Sequence, residues 1–179
     1  LWEKDCFILP KRINGDIVLV HRVMPGIQIL HFKDFSELTL DYWKKYLGHI
    51  SDNIVLEPMF WFESRKIGGG CPPIEIPEGW LFIYHGVEDN QIGRIYHAGV
   101  ALLDRYNPLK VLYRLPEPLF SPTYAWEKQG DVANVVFPTS ALVRNGRLFI
   151  YYGAADTRIA MRSIDLEVLI TELKKYPAE

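Results

Sequence analysis

The chain has 179 residues, 49% of them hydrophobic and 23% charged, with a formal net charge of −2. Such a composition suits one globular domain with a real core. It excludes a global field that would draw the chain to nucleic acid or to an anionic membrane. No apolar run approaches the ~18 residues of a membrane span, so neither nucleic acid nor membrane is expected as a partner.

The opening "LWEKDCFILP" shows no signal-peptide pattern. It has no initiator Met and reads as sequence from the middle of a domain, which raises the expectation of a truncated chain. Cys6 and Cys71 are the only cysteines and have no metal-ligand spacing. They read as two free thiols of a cytoplasmic protein.

Three stretches then line up: "PKRINGDIVLVHR" (10–22), "IPEGWLFIYHG" (76–86) and "LVRNGRLFIYYG" (142–153). Each has a turn with a glycine (Gly15, Gly79, Gly146), then a β-rich run, then a polar or aromatic rim. A second apolar run closed by aspartate follows each: "IQILHFKD", "HAGVALLD" and "RIAMRSID". A further short strand precedes each, in "CFILP", "PPIEI" and "NVVFPTSALV". The repeat recurs about every 60 residues, which predicts four-stranded antiparallel sheets arranged as propeller blades. Blades are expected at about 1–60, 61–125 and 126–165.

Between the first two modules lies "WFESRKIGGGCPPIEIPEGW" (61–80). A phosphate-cradling P-loop needs its lysine after the glycines and a helix behind it, and both are missing. The dinucleotide fingerprint fails for the same reason. The glycines free the backbone and the prolines stiffen the exit. The expectation is a rigid loop entering a strand, with Lys66 at its rim. At the other end, "DLEVLITELKKYP" puts Leu166, Leu169, Ile170 and Leu173 on one face of a helix over about 165–176. Asp165 is its N-cap, Lys174 and Lys175 suit its last turn, and Pro177 follows the stop.

Three modules are too few to close a ring. The chain therefore reads as the back portion of a larger propeller, with open sheet edges that favour homo-oligomers. In a propeller the inner strands and their loops converge on the axis. The rims there carry His21 and Arg22, His85, and Tyr152 with Asp156, joined by Lys66 and Tyr96. Taken singly, Arg22 reads as a salt-bridge partner and Lys66 as a solvated loop lysine. His85 likewise reads as a half-buried strand histidine, and Tyr96 as a packed edge aromatic. Together, Arg, Lys, His and Tyr around one cavity make an oxyanion site that needs no metal. None of the five histidines stands in a tight pair for a metal, and no G-x-S-x-G elbow occurs.

The motifs "HRVMPG", "KIGGGCPPI", "EGWLFIYHGV", "YHAGVALLD", "VANVVFP" and "YYGAAD" closely resemble the mannoside phosphorylases of glycoside hydrolase family 130, in order and in spacing, from about residue 4 to residue 170. The resemblance implies an all-β fold, a five-bladed β-propeller of which about three blades and a C-terminal α-helix are present. It implies that Arg22, Lys66, His85 and Tyr96 bind inorganic phosphate, the co-substrate, with no cofactor and no metal. By the same resemblance Asp156 contacts the mannosyl unit, and Lys4 and Asp5 are further substrate-binding polar residues near the phosphate. The family's catalytic acid is an aspartate of the N-terminal half, which has no counterpart in these 179 residues. The activity implied is inverting phosphorolysis of β-mannosides to α-mannose 1-phosphate. The alternatives are a hydrolase of the same family, in which carboxylates activate water, and a non-catalytic fragment that binds sugar or assembles with a partner.

Overall fold

The computed structural model describes residues 3–23, 26–91 and 93–178; Met24 and Pro25 of the "HRVMPG" motif lie outside them. Twelve strands form three antiparallel sheets in chain order. The first holds β1 (Glu3–Ile8), β2 (Ile17–Val23), β3 (Ile27–Phe32) and β4 (Ile54–Leu56). The second holds β5 (Lys66–Gly69) and β6 (Ile74–Ile76), both paired to β7 (Gly79–Asn90), then β8 (Gly93–Leu103) and β9 (Val111–Arg114). The third holds β10 (Val136–Arg144), β11 (Arg147–Ala154) and β12 (Arg158–Asp165). Every run marked in the sequence as a strand is one. The expected four strands per sheet are found only in the first; the second has five and the third three.

The turns explain the shared register. Asn14–Gly15 and Asn145–Gly146 adopt positive φ, and two-residue hairpins are closed by the pairs Ile13↔Asp16 and Arg144↔Arg147. Asn-Gly at positive φ matches the twist of the flanking strands. In the middle sheet Pro77 and Glu78 fill the turn and the pair Ile76↔Gly79 closes it.

The sheets stack face to face. The near-continuous apolar run of β7 follows from burial on both sides, since strand side chains alternate between faces. Trp80, Phe82 and Tyr84 join Val18, Val20, Ile27 and Ile29 of the first sheet. Leu81 and Ile83 join Leu148, Ile150 and Tyr152 of the third. The face of the third sheet turned away from this core exposes Leu142, Tyr151, Ile159 and Met161.

A helix not anticipated from the sequence, α1 (Leu40–Gly48), is N-capped by Thr39. It covers the free face of the first sheet with Tyr46, against Leu19, Leu30 and Phe32. A short helix, α2 (Ala125–Lys128), precedes β10. The C-terminal helix α3 (Leu166–Leu173) is capped by Asp165, which accepts from the backbone N–H groups of Glu167 and Val168. Its Leu169, Ile170 and Leu173 enter the core between the second and third sheets. It ends earlier than expected: Lys174 is its C-cap, and Lys174 and Lys175 pair instead with Glu78 and Glu172.

Two buried carboxylates fix the loops between sheets. Glu63 accepts from the N–H groups of Met59 and Phe60 through Oε2, and from Tyr84 Oη and Arg114 Nη2, both at 2.7 Å, through Oε1. Glu127 repeats the arrangement with Thr123 and Tyr124 N–H groups, Tyr152 Oη and Arg162 Nη2. Each guanidinium lies over aromatic rings, Arg114 over Phe60 and Tyr84, Arg162 over Phe120 and Tyr124. Removing one partner of a buried pair leaves the other charged and unsatisfied, at a cost of about 3–5 kcal/mol. Glu63→Ala and Glu127→Ala are therefore each expected to lower stability by that order in urea titrations. Glu75→Ala, which removes a more accessible partner of Lys11 and Arg105, is expected to lower it far less than either.

Candidate functional site

Each sheet contributes one cross-strand pair at the same level of its first two strands: Lys4↔Arg22, Gly68↔His85 and Phe137↔Gly153. Counted from the turn-closing residue of each hairpin, Arg22, His85 and Gly153 are equivalent positions. The residues just before them, His21, Tyr84 and Tyr152, point to the opposite faces.

The side chains at this level converge. Arg22 Nε lies 2.9 Å from Asp5 Oδ2, and both side chains are largely buried. Asp5 has a φ of +56° and sits at the bulge that interrupts the β1–β2 register between Lys4 and Phe7. That kink re-aims its carboxylate toward Arg22. His85 is 1% exposed, packed on Phe137 at 4.5 Å and on Tyr96 at 6.0 Å between ring centroids. Lys66 Nζ stands 5.8 Å above the Tyr96 ring. Lys66 and Tyr96 both pair with Val87, two residues from His85 on the same face.

The glycine run is a strand, not the expected loop. Lys66–Gly69 forms β5, pairing with Val87–Tyr84 of β7. A Cβ on Gly68 would collide with Asp5 Oδ2 and come within 2.5 Å of His85 Cε1. A Cβ on Gly69 would come within 2.6 Å of the Phe7 ring. Glycine is thus what lets the Asp5 carboxylate and the His85 ring meet over the backbone.

The electrostatics follow from crowding. Burial, then the nearby Arg22 and Lys66, hold the His85 imidazole down at about 3, so it is neutral at physiological pH. Burial and Arg22 lower the Lys66 ammonium from its usual value. Burial raises the Asp5 carboxyl, opposed by Arg22, Lys66 and Lys4. A neutral imidazole, two cations within reach of one another and a phenol form a site suited to a small oxyanion.

Of the sequence-predicted residues, Arg22, Lys66, His85, Tyr96 and Asp5 come together, with Lys4 at their edge. Asp156 does not join them: it is exposed in the β11–β12 turn at a φ of +54°. No ion pair or side-chain hydrogen bond among the described residues links it to the cluster. His21 and Tyr152 belong elsewhere. His21 hydrogen-bonds Tyr46 Oη at 2.6 Å and faces Glu3, and burial lowers it to about 4. Tyr152 is committed to Glu127. Adjacent strand residues cannot share a face, so His21 and Arg22 cannot both serve one site. Phe137, which walls His85, was not singled out in the sequence; its only signal is its place opposite Gly153 in "VANVVFP" and "YYGAAD".

The family model described as β-1,4-mannooligosaccharide phosphorylase matches residues 1–175. A β-1,2-mannobiose phosphorylase of Thermoanaerobacter sp. is 42% identical over 165 residues, covering 92% of this chain and 50% of that protein. A β-1,4-mannooligosaccharide phosphorylase of Ruminococcus albus is 36% identical over 179 residues, covering 98% of this chain and 52% of that protein. The structure of β-1,2-mannobiose phosphorylase from Listeria innocua, in complex with β-1,2-mannobiose, superposes with a TM-score of 0.77 at 30% identity, covering 97% of this chain and 47% of that one. The chain spans about half the length of the curated relatives it matches. The three stacked sheets are thus part of a five-bladed β-propeller. The chain belongs to glycoside hydrolase family 130, the family of the mannoside phosphorylases.

Proposed function

We propose that this chain supplies the phosphate site of an enzyme that phosphorolyses β-mannosides with inversion, releasing α-mannose 1-phosphate. The observation that carries the reading is the convergence of Arg22, Lys66, His85 and Tyr96 at one level of adjacent sheets. A phosphate oxygen attacks the anomeric carbon from the face opposite the leaving sugar. As that bond forms, the bond to the glycosidic oxygen breaks, and its electron pair leaves with that oxygen, which takes a proton from an acid. Phosphate is itself the nucleophile, so no general-base carboxylate is required. The protein must instead hold a multiply charged anion in line before reaction.

Arg22 offers a planar fork, Lys66 a point charge, neutral His85 an N–H donor and Tyr96 a hydroxyl. Asp156 and Lys4 are assigned to the sugar side of the site. The acid is assigned to the part of the relatives that this chain does not span, and the 179 residues alone are not expected to turn over mannoside. The relatives named above act on β-1,2- and β-1,4-linked mannosides, yet match the same residues at comparable identity. What they share across this half is the co-substrate, which favours an anion role for the cluster over a linkage-reading one. A cytoplasmic enzyme that associates through uncovered strand edges and the exposed apolar face of the third sheet completes the proposal.

The deciding assay uses a polypeptide that carries this segment together with the N-terminal half present in its relatives. Mannose 1-phosphate should form from β-mannobiose only when phosphate is supplied. Equal release of free mannose with and without phosphate would establish the hydrolase instead.

In the same polypeptide, Lys66→Ala should weaken the use of phosphate by about 1.5–3 kcal/mol, the range for a charge-assisted hydrogen bond. That is roughly ten- to a hundredfold in kcat/KM for phosphate, with little change in thermal stability. Gly68→Ala should cause a comparable loss by displacing Asp5 and His85, although it removes no functional group. Unchanged phosphate kinetics in both variants would show that the anion binds elsewhere.

The pH dependence has a definite sign. A histidine held at about 3 loses no proton between pH 5 and 8. Once the protonation of phosphate itself is allowed for, affinity should show no histidine step there. It should weaken on the alkaline side as Lys66, held below the usual lysine range by burial and Arg22, loses its charge. An inflection near 6.5 that persists after this correction and vanishes in His85→Gln would show that His85 binds as a cation.

A further inference from the structure

Arginine and lysine bind any small tetrahedral dianion, so the cations of this site do not by themselves choose phosphate. The unusual member of the cluster is its carboxylate. An acidic group among the ligands of an anion site repels the charge that the site is built to hold, unless it meets a hydrogen-bond donor on the anion itself. At neutral pH inorganic phosphate still carries a proton on oxygen, whereas sulfate carries none.

Asp5 is placed for such a contact. Its positive-φ bulge aims the side chain at Arg22, and its Oδ2 is sealed against Gly68 and His85. Among the described residues Oδ2 completes no hydrogen bond, the 2.9 Å approach of Arg22 Nε being ionic rather than directed. The side chain as a whole retains 13% exposure, which lies on atoms other than Oδ2. The strained backbone and the missing Cβ of Gly68 both serve this one carboxylate, and a simple partner for Arg22 needs neither. We propose that Asp5 is the specificity-determining residue of the site: its carboxylate accepts the P–OH proton of bound hydrogen phosphate and repels tetrahedral anions that have no proton to give. The proposal rests on the phosphate-site reading above. It adds that the site reads the protonation of its anion as well as its charge.

The test is calorimetric titration, near neutral pH, of the polypeptide that carries this segment together with the N-terminal half present in its relatives, with phosphate, sulfate and monofluorophosphate, the last a phosphate-like dianion with no P–OH. The unaltered polypeptide should bind phosphate at least roughly tenfold more tightly than either of the others, in line with one charge-assisted hydrogen bond. In Asp5→Asn, whose amide can turn its N–H₂ toward the anion, the preference should shrink to about threefold or less as sulfate and monofluorophosphate gain affinity. If Asp5 only positioned Arg22, the substitution would weaken all three anions alike and leave their ratio intact, and the proposal would fall. It falls too if the unaltered polypeptide binds phosphate and monofluorophosphate equally, a comparison that needs no variant to fold. Both outcomes leave the phosphate site standing. Binding of none of the three anions would overturn the site and the selectivity together.

Discussion

The alternation of side chains across a β-strand is the constraint from which the rest of this structure follows. At the same distance from its turn, each second strand presents one residue to a sheet-sheet or sheet-helix interface and the next to the shared gap. His21, Tyr84 and Tyr152 occupy the first position, and each places a polar tip beside a glutamate: Glu3, Glu63 or Glu127. Arg22, His85 and Gly153 occupy the second. A slip of one residue in any strand would exchange the two sets. The anchored residue therefore sets the register of the functional one, and the buried carboxylates act on the site through the strands.

Burying a cation needs compensation, and the fold supplies it in two forms. Arg114 and Arg162 are compensated fully, by a carboxylate, carbonyl or hydroxyl partners and aromatic faces, and they lock loops. Arg22 and Lys66 stand differently, Arg22 facing Asp5 and Lys66 over the Tyr96 ring. One carboxylate, Asp5, faces Arg22, Lys66 and Lys4 together. Burial depresses Lys66, and its cationic neighbours add to the effect. The lowered Lys66 ammonium would gain from further negative charge beside it. In the proposed phosphate site that charge comes from the anionic ligand, and groups already in place need no rearrangement at the moment of binding.

Much of this was legible in the residues. The turn glycines, the apolar runs and the closing aspartates located nine of the strands, because hairpin chemistry and alternation are local signals. Asp165 and the Leu169, Ile170 and Leu173 face located α3 for the same reason. The glycine run was misplaced as a loop, because the sequence does not show that Asp5 and His85 press on the missing Cβ of Gly68 from other strands. His21 and Arg22 were grouped by adjacency although strand geometry separates them. The two loop-fixing glutamates also went unremarked. Their signal is present in "PMFWFE" and "PTYAWE", a proline, two alternating aromatics and a glutamate, repeated 64 residues apart. It recurs because the same buried turn is built twice. Helix α1 was missed since Thr39 and Leu40–Gly48 stand outside the repeat, and only the cover they provide over Leu19, Leu30 and Phe32 gives them meaning.

The balance of charges also bears on which nucleophile the site suits. A water-activating site needs a carboxylate that is free to take a proton from water, close to the reacting carbon. The carboxylates of the described core are otherwise engaged: Glu63 and Glu127 each accept four hydrogen bonds or more and face away from the gap. Among the described residues Asp5 is the acidic group at the gap; burial raises its carboxyl, and Arg22, Lys66 and Lys4 oppose the rise. That carboxylate is paired with Arg22 at 2.9 Å, and so is not free to take a proton from water. It remains a good hydrogen-bond acceptor. The proposed site accordingly suits a nucleophile that arrives already charged and brings a proton for Asp5; hydrogen phosphate meets both conditions, whereas water is uncharged.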